Sequence, residues 1–239
     1  MNRRIILGAI VAVFTMKALA GPRDFGTLIF EDRFERSESQ ELKDEPGNGW
    51  TTSSDKTAKG NKQIDLRDGH AYVYTHAEAN HATSFRHAFS FKDGTLGLRF
   101  MLDDEGDSLK LNFADMDLKT VWAGHLFFVD IGTEKVRITD QKTGEMNLEI
   151  RNARKENALS ESQEKELEKK TKVFRHELDT KHWHQVYVTV EGDLLSVTIN
   201  GKEIGSLRSE GFGHETKGLL RLLVPKNAHV DDVEIWRRK

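Results

Sequence analysis

The chain of 239 residues contains no cysteine. That excludes a disulfide, a thiolate nucleophile and cysteine-ligated zinc. A basic excess is missing too: 36 Lys and Arg stand against 39 Asp and Glu, a formal charge of −3. A general nucleic-acid binder needs the opposite balance, so that partner class is set aside. The chain has a single sizeable apolar run, Ile5 to Met16, shorter than the ~20 residues of a spanning helix. No later run approaches that length.

The run follows Asn2-Arg3-Arg4 and precedes Ala18-Leu19-Ala20-Gly21. A basic start, a short apolar stretch and a small-x-small site are the marks of a secretory leader. Residues 1–20 are therefore expected to be removed, giving a secreted or periplasmic protein with no membrane contact; an uncleaved anchor is the alternative. Loss of Arg3, Arg4 and Lys17 moves the formal charge from −3 to −6. The remainder, 21–239, is long enough for one large domain that stands on its core without cross-links.

Short runs rich in Val, Ile, Phe, Tyr and Thr recur along the chain, separated by turn residues, which is the pattern of a β-sandwich or barrel. Strands are expected at Thr27–Glu31, His70–Thr75, Thr83–Phe91, Thr95–Met101, Ser108–Phe113, Gly124–Ile131, Lys135–Thr139, Val173–Glu177, Trp183–Val190, Leu194–Ile199, Lys202–Leu207, Gly218–Val224 and His229–Trp236. Asn200-Gly201 between two alternating runs is a strong hairpin signal, because a type I′ turn needs positive φ at both central residues. The segment 153–172 breaks the pattern. It is nearly all charge, and Ser160-Glu161-Ser162-Gln163 has the form of a capping box, so one exposed helical insertion is expected there. Residues 37–62 read as a long surface loop around Trp50.

Several motifs carry a family resemblance. Trp183-His184 with its alternating valines, the Gly192-Asp193 turn and Asn200-Gly201-Lys202 resemble a stretch of concanavalin A-like and laminin G-like jelly rolls. Phe30-Glu31-Asp32-Arg33-Phe34 is similar to their opening strand and Val230-Asp231-Asp232-Val233-Glu234-Ile235-Trp236 to their closing one. Ser84-Phe85-Arg86-His87, Phe91-Lys92-Asp93-Gly94 and Gly124-His125 resemble secreted bacterial proteins related to the 3-keto-disaccharide hydrolase domain family. The resemblance implies an all-β, two-sheet antiparallel jelly-roll sandwich that acts on or binds sugars. It carries over no catalytic residue.

Laminarinase-type glucanases on this fold place a nucleophile and an acid on one strand face. The nearest approach here, Glu177-Leu178-Asp179, lacks the second Glu, so that mechanism is rejected. His182 and His184 share a strand face, as metal ligands can, but His184 has the parity of Val186, Val188 and Val190 and reads as a core histidine. Asp103-Asp104-Glu105-Gly106-Asp107 lacks EF-hand spacing and reads as a solvated hairpin tip. No cofactor is called for beyond a structural calcium near Asp32 and Asp231, which the resemblance suggests.

Parity points to one more constellation. If Thr83–Phe91, Thr95–Met101 and Ser108–Phe113 pair as a meander, Arg86, Arg99 and Lys110 share a face. Like charges so placed are unfavourable unless an anion sits among them. Either carboxylates of the chain such as Glu149 supply it, or the face recognises an acidic or polar sugar, with Asn112 and His125 as neutral partners. Two functions stay open: a carbohydrate-active enzyme that hydrolyses its sugar, or a non-catalytic glycan-binding or extracellular interaction module.

Overall fold

The computed structural model describes residues 24–239; the expected leader lies outside them. Val186, Val188 and Val190 alternate with Gln185, Tyr187 and Thr189, the period of a strand with one face in the core. All three valines are buried. The same arithmetic repeated along the chain builds two antiparallel sheets.

The first sheet runs in the order β13 (Lys202–Arg208), β12 (Leu194–Ile199), β11 (His184–Glu191), β6 (Gly94–Met101), β15 (Asn227–Arg237), β4 (His70–Tyr74) and β3 (Ile64–Arg67). β1 (Thr27–Asp32) pairs with the second half of β15. The second sheet runs β10 (Thr171–Arg175), β9 (Lys135–Asp140), β8 (His125–Gly132), β7 (Ser108–Ala114), β14 (Lys217–Val224), β5 (Thr83–Phe91) and β2 (Thr51–Thr52). Their inner faces form one apolar core, in which Leu96, Leu98, Phe100 and Val230 of the first sheet join Phe85, Leu111, Phe113, Phe127 and Leu222 of the second. The fold is a two-sheet jelly-roll sandwich of the concanavalin A-like kind.

The expected meander does not form. β5 and β6 lie in different sheets, and β14 stands between β5 and β7. Alternation tells which side chains face inward but not which strands are neighbours. Phe91 and Leu96 both enter the core, from opposite sheets, so the chain at Asp93-Gly94 crosses the sandwich instead of turning back beside itself. Arg99 is thereby parted from Arg86 and Lys110.

The insertion also differs. After the short α1 (Ser54–Thr57) earlier in the chain, two helices replace one: α2 (Leu148–Lys155), capped by the Asn147 side chain, and α3 (Glu161–Lys169), capped by Ser160 with Gln163 completing the expected box. Asn157, at φ 53°, lies between them, and residues 171 and 172 already belong to β10. Residues 37–62 are packed, not a plain surface loop. The Trp50 indole stacks on Phe85 at 4.1 Å and donates to Asp32 Oδ2 at 2.8 Å. Lys62 is buried among Glu38, Glu41 and Asp65 at 2.8 to 2.9 Å. Asp107, expected in solvent, is 2% exposed and accepts from the Asp104 amide.

Asp140 ties the end of β9 to the connection between β13 and β14. It is fully buried, and its carboxylate accepts from the hydroxyls of Thr143 (2.5 Å) and Ser209 (2.6 Å) and from the amides of Thr143 (3.1 Å) and Gly211 (3.0 Å). Asp140→Ala strands four donors in a dry site and is expected to cost about 3 kcal/mol or more, measured by urea unfolding. Gly211→Ala drives a Cβ into the same carboxylate and should lower stability in the same assay.

Candidate functional site

Antiparallel register places one row of outward residues across the second sheet: Thr51, Arg86, Arg221, Asn112, Phe128, Thr139 and Thr171 are successive partners. Arg221 is outward because Leu220 and Leu222 on either side of it are fully buried. With strands about 4.8 Å apart, its guanidinium lies between Arg86 and Asn112. Lys110 occupies the adjacent row, beside Leu223. His125 joins the same face through a bulge, since the register slips between Phe113 and Ala114 and pairs Ala114 with His125.

Arg221 is 7% exposed and is the hub. Its Nη1 lies 3.3 Å from Asn112 Oδ1 and 3.2 Å from His125 Nδ1. Its Nη2 donates to the Ala123 carbonyl at 2.8 Å and to Met116 Sδ at 2.9 Å. Ala123 is held at φ 50° and Gly124 at φ 69°, and a side chain at Gly124 would collide with the Asp115 carbonyl. The left-handed corner aims one carbonyl at the guanidinium and starts β8. Asn112 is 1% exposed; its amide donates to the Phe127 carbonyl (3.1 Å) and to Gln141 Oε1 (2.9 Å). Gln141 in turn donates to Glu145 at 3.1 Å, and Arg154 of α2 lies 3.5 Å from the same carboxylate. One hydrogen-bonded chain thus links the helical insertion to Arg221.

Beside this network lies an open depression of about 410 Å³, lined by Lys110, His125, Phe128, Gln141, Glu145 and Met146 among others. Trp122 stands near its rim. It is 49% exposed, its amide donates to the Met146 carbonyl, and the Arg151 guanidinium lies 4.0 Å over its ring.

The electrostatics are one-sided. Burial, with Arg86 adding to it, pushes the Arg221 pKa down to about 10, so it remains a cation at neutral pH. Burial also lowers the pKa of Arg86, whose Nε donates to Ser84 Oγ at 2.7 Å. Lys110 Nζ lies 4.6 Å over the Phe128 ring. Among the described residues none of these three cations is within 4.0 Å of a carboxylate oxygen; Asp130, the strand neighbour of Lys110, pairs with Arg137 at 2.7 Å instead. Desolvation, then Arg221 and Lys110, push the His125 pKa down to about 4, so its ring is neutral at pH 7. Two groups face Nδ1: the Arg221 guanidinium at 3.2 Å, which favours a lone pair there, and Asn112 Oδ1 at 3.1 Å, which favours a proton.

Of the five residues expected to form a site, Arg86, Lys110, Asn112 and His125 share this face, whereas Arg99 lies on the other sheet, over Trp183 and against Asp231 and Asp232. Glu149, the expected counter-charge, is exposed at the start of α2, and Glu145 is the acid that lines the depression. Arg221 was missed in sequence, although a single cation inside Leu219-Leu220-Arg221-Leu222-Leu223 is a legible outward position. Asp32 accepts from Arg36 at 2.7 and 3.0 Å, and Asp231 lies 3.5 Å from Arg99. His184, as expected, is buried and satisfied on both nitrogens, by the Asp179 carbonyl and by Asn200.

Because the folded-state pKa of His125 lies below the usual 6.5, the unfolded chain takes up a proton first as pH falls. Stability is lost between about pH 6.5 and 4 on this account. His125→Gln should show a shallower fall over that window when urea midpoints of the two proteins are compared.

Residues 39–231 match the sequence profile of 3-keto-alpha-glucoside-1,2-lyase-like domains. No functionally curated protein sequence is significantly similar to the chain. Among solved structures, a non-specific endo-β-1,3(4)-glucanase from family GH16 superposes with a TM-score of 0.58 at 12% identity, over 87% of this chain and 90% of that one. The Bacillus licheniformis β-glucanase gives 0.58 at 12% identity, over 89% and 99%. Carbohydrate-binding module CBM66 from Bacillus subtilis gives 0.50 at 13% identity, over 77% and 93%. At these identities the likeness is one of fold, while the profile spans most of the domain. The chain belongs to the 3-keto-alpha-glucoside-1,2-lyase-like domain family.

Proposed function

We propose that this is an exported carbohydrate-active protein that binds a sugar bearing an acidic group on the outer face of its second sheet. The observation that carries the reading is the trio Arg86, Arg221 and Lys110, three cations on one face without a carboxylate in ion-pair reach, one of them 7% exposed. A desolvated guanidinium without a counter-charge is expensive. A ligand carboxylate or sulfate supplies that charge and suits the fork geometry of arginine. The family's description points to glucosides, and sugar-directed proteins occur on this fold; both support a sugar as the partner. Export rests on the form of residues 1–20. A second reading, cleavage of the bound glucoside, is favoured by the meeting of neutral His125 and Glu145 in one depression. It extends the first reading: the cations hold the sugar, and the imidazole and carboxyl supply the acid–base pair.

The test is retention on arrays of uronate- and sulfate-bearing oligosaccharides, followed by incubation with the hits and assay for released sugar. Arg221→Ala and Arg86→Ala should each weaken binding about tenfold or more, equivalent to ~1.4 kcal/mol. Arg221→Lys should not restore it, since an ammonium cannot reproduce the contacts to Asn112, His125, Ala123 and Met116 that hold the charge in place. Unchanged retention of a folded Arg221→Ala protein overturns the reading, and binding without released sugar decides for a binding module.

A further inference from the structure

We infer that the outer face of the first sheet is a second saccharide-binding surface, for neutral sugars, independent of the Arg221 cluster. His229 of β15 lies between Asp103 and His70. Its Nε2 is 3.2 Å from Asp103 Oδ2, and its Nδ1 is 2.8 Å from His70 Nε2. With Asp103 accepting from the His229 Nε2–H, Nδ1 accepts from the His70 Nε2–H, and the relay ends in a lone pair at His70 Nδ1. Burial lowers the His229 pKa, against the pull of Asp103, so the ring stays neutral at pH 7 and the order of donors is kept.

The same residues belong to a band of rings. Trp183 meets His70 edge-on at 5.3 Å, His70 and His229 lie 4.9 Å apart, Tyr72 lies 4.7 Å from His229, and Tyr74 stacks on Tyr72 at 5.5 Å. All five are half-buried. Each arginine beside the band has an acid of the chain in reach: Arg99 lies 3.5 and 3.4 Å from Asp231 and Asp232, and Arg67 lies 2.5 Å from Asp65, while Asp103 accepts from the neutral His229.

This chemistry differs from that of the second sheet. There the cations lack counter-charges and call for an anion. Here donors and acceptors alternate around aromatic surface and the arginines are already paired, so an anion is not called for and a neutral pyranose fits: its C–H face packs on the rings and its hydroxyls bridge carboxylate, imidazole and guanidinium. Two sugar-binding faces on opposite sheets let one molecule hold two segments of a polysaccharide, or two chains, at once, with the gain of a linked second contact.

The test is native affinity electrophoresis at pH 7 in gels cast with laminarin, dextran or soluble starch. At least one of the three should retard the full-length mature protein. Trp183→Ala and His70→Ala should each weaken that retardation about tenfold, and Trp183→Phe should keep most of it. Arg221→Ala should leave it unchanged, so a failure of the acidic-sugar reading is distinguishable from a failure of this one. Unfolding midpoints identify any variant that has lost its fold; His70→Ala, at a rim position, then stands in for Trp183→Ala. Absence of retardation in all three gels, or retardation of wild-type strength in folded Trp183→Ala and His70→Ala, overturns the inference.

Discussion

Mutual burial of two apolar sheet faces is the constraint from which everything else in this protein follows. With no cysteine in the chain, nothing covalent supplements that burial, and the inner faces must supply the stability by packing. Phe113 and Phe127 stack at 4.7 Å across neighbouring strands, and Phe212 meets Phe127 edge-on at 5.3 Å. Once Leu220 and Leu222 are committed to that core, Arg221 has nowhere to point but outward. The position of the functional hub is therefore dictated by the hydrophobic residues around it, and the polar network only refines its aim.

That network works by exclusion as much as by contact. Arg221 satisfies its donors on a carbonyl, an amide oxygen, an imidazole nitrogen and a thioether, all neutral acceptors that hold the fork in place without cancelling its charge. Asn112 is the branch point: it accepts from Arg221 and donates through Gln141 toward Glu145. The acid is thus kept in the site but away from the arginine. The left-handed corner at Ala123-Gly124 belongs to the same design, because strained backbone that aims a carbonyl persists only where its surroundings over-determine it.

Much of the fold was legible because its signals are local. The Asn200-Gly201 hairpin, the capping box at Ser160 and the core placement of His184 each depend on a few neighbouring residues, and each stands as read. The outward parity of Arg86, Lys110 and Asn112 was likewise correct. What escaped was long-range pairing. β14 enters the second sheet between β5 and β7 from more than a hundred residues downstream of both, and no spacing in the sequence records that. Assigning Arg99 to the cluster followed from treating consecutive strands as neighbours, a rule that a crossover between sheets breaks. The bulge that turns His125 outward was hidden for a related reason, being set by pairing that exists only after the sheet has formed; the Asn147 cap, which accepts from the Glu149 and Ile150 amides, is local and was there to be read.

The two outer faces show how the same scaffold can present opposite electrostatics. On the first sheet each arginine at the aromatic band has an acid of the chain beside it, so that face leaves no cation in want of a partner. On the second sheet burial lowers the basicity of both Arg221 and Arg86, and at Arg221 the charge of Arg86 adds to it. Stability alone would favour a carboxylate where Asn112 stands, since it lies within 3.3 Å of the guanidinium. An amide there is isosteric and uncharged. It keeps the hydrogen bond and leaves the charge available, which is the arrangement expected where a site sacrifices stability for recognition. Under the proposed function the cation is half of an ion pair whose other half arrives from outside the chain.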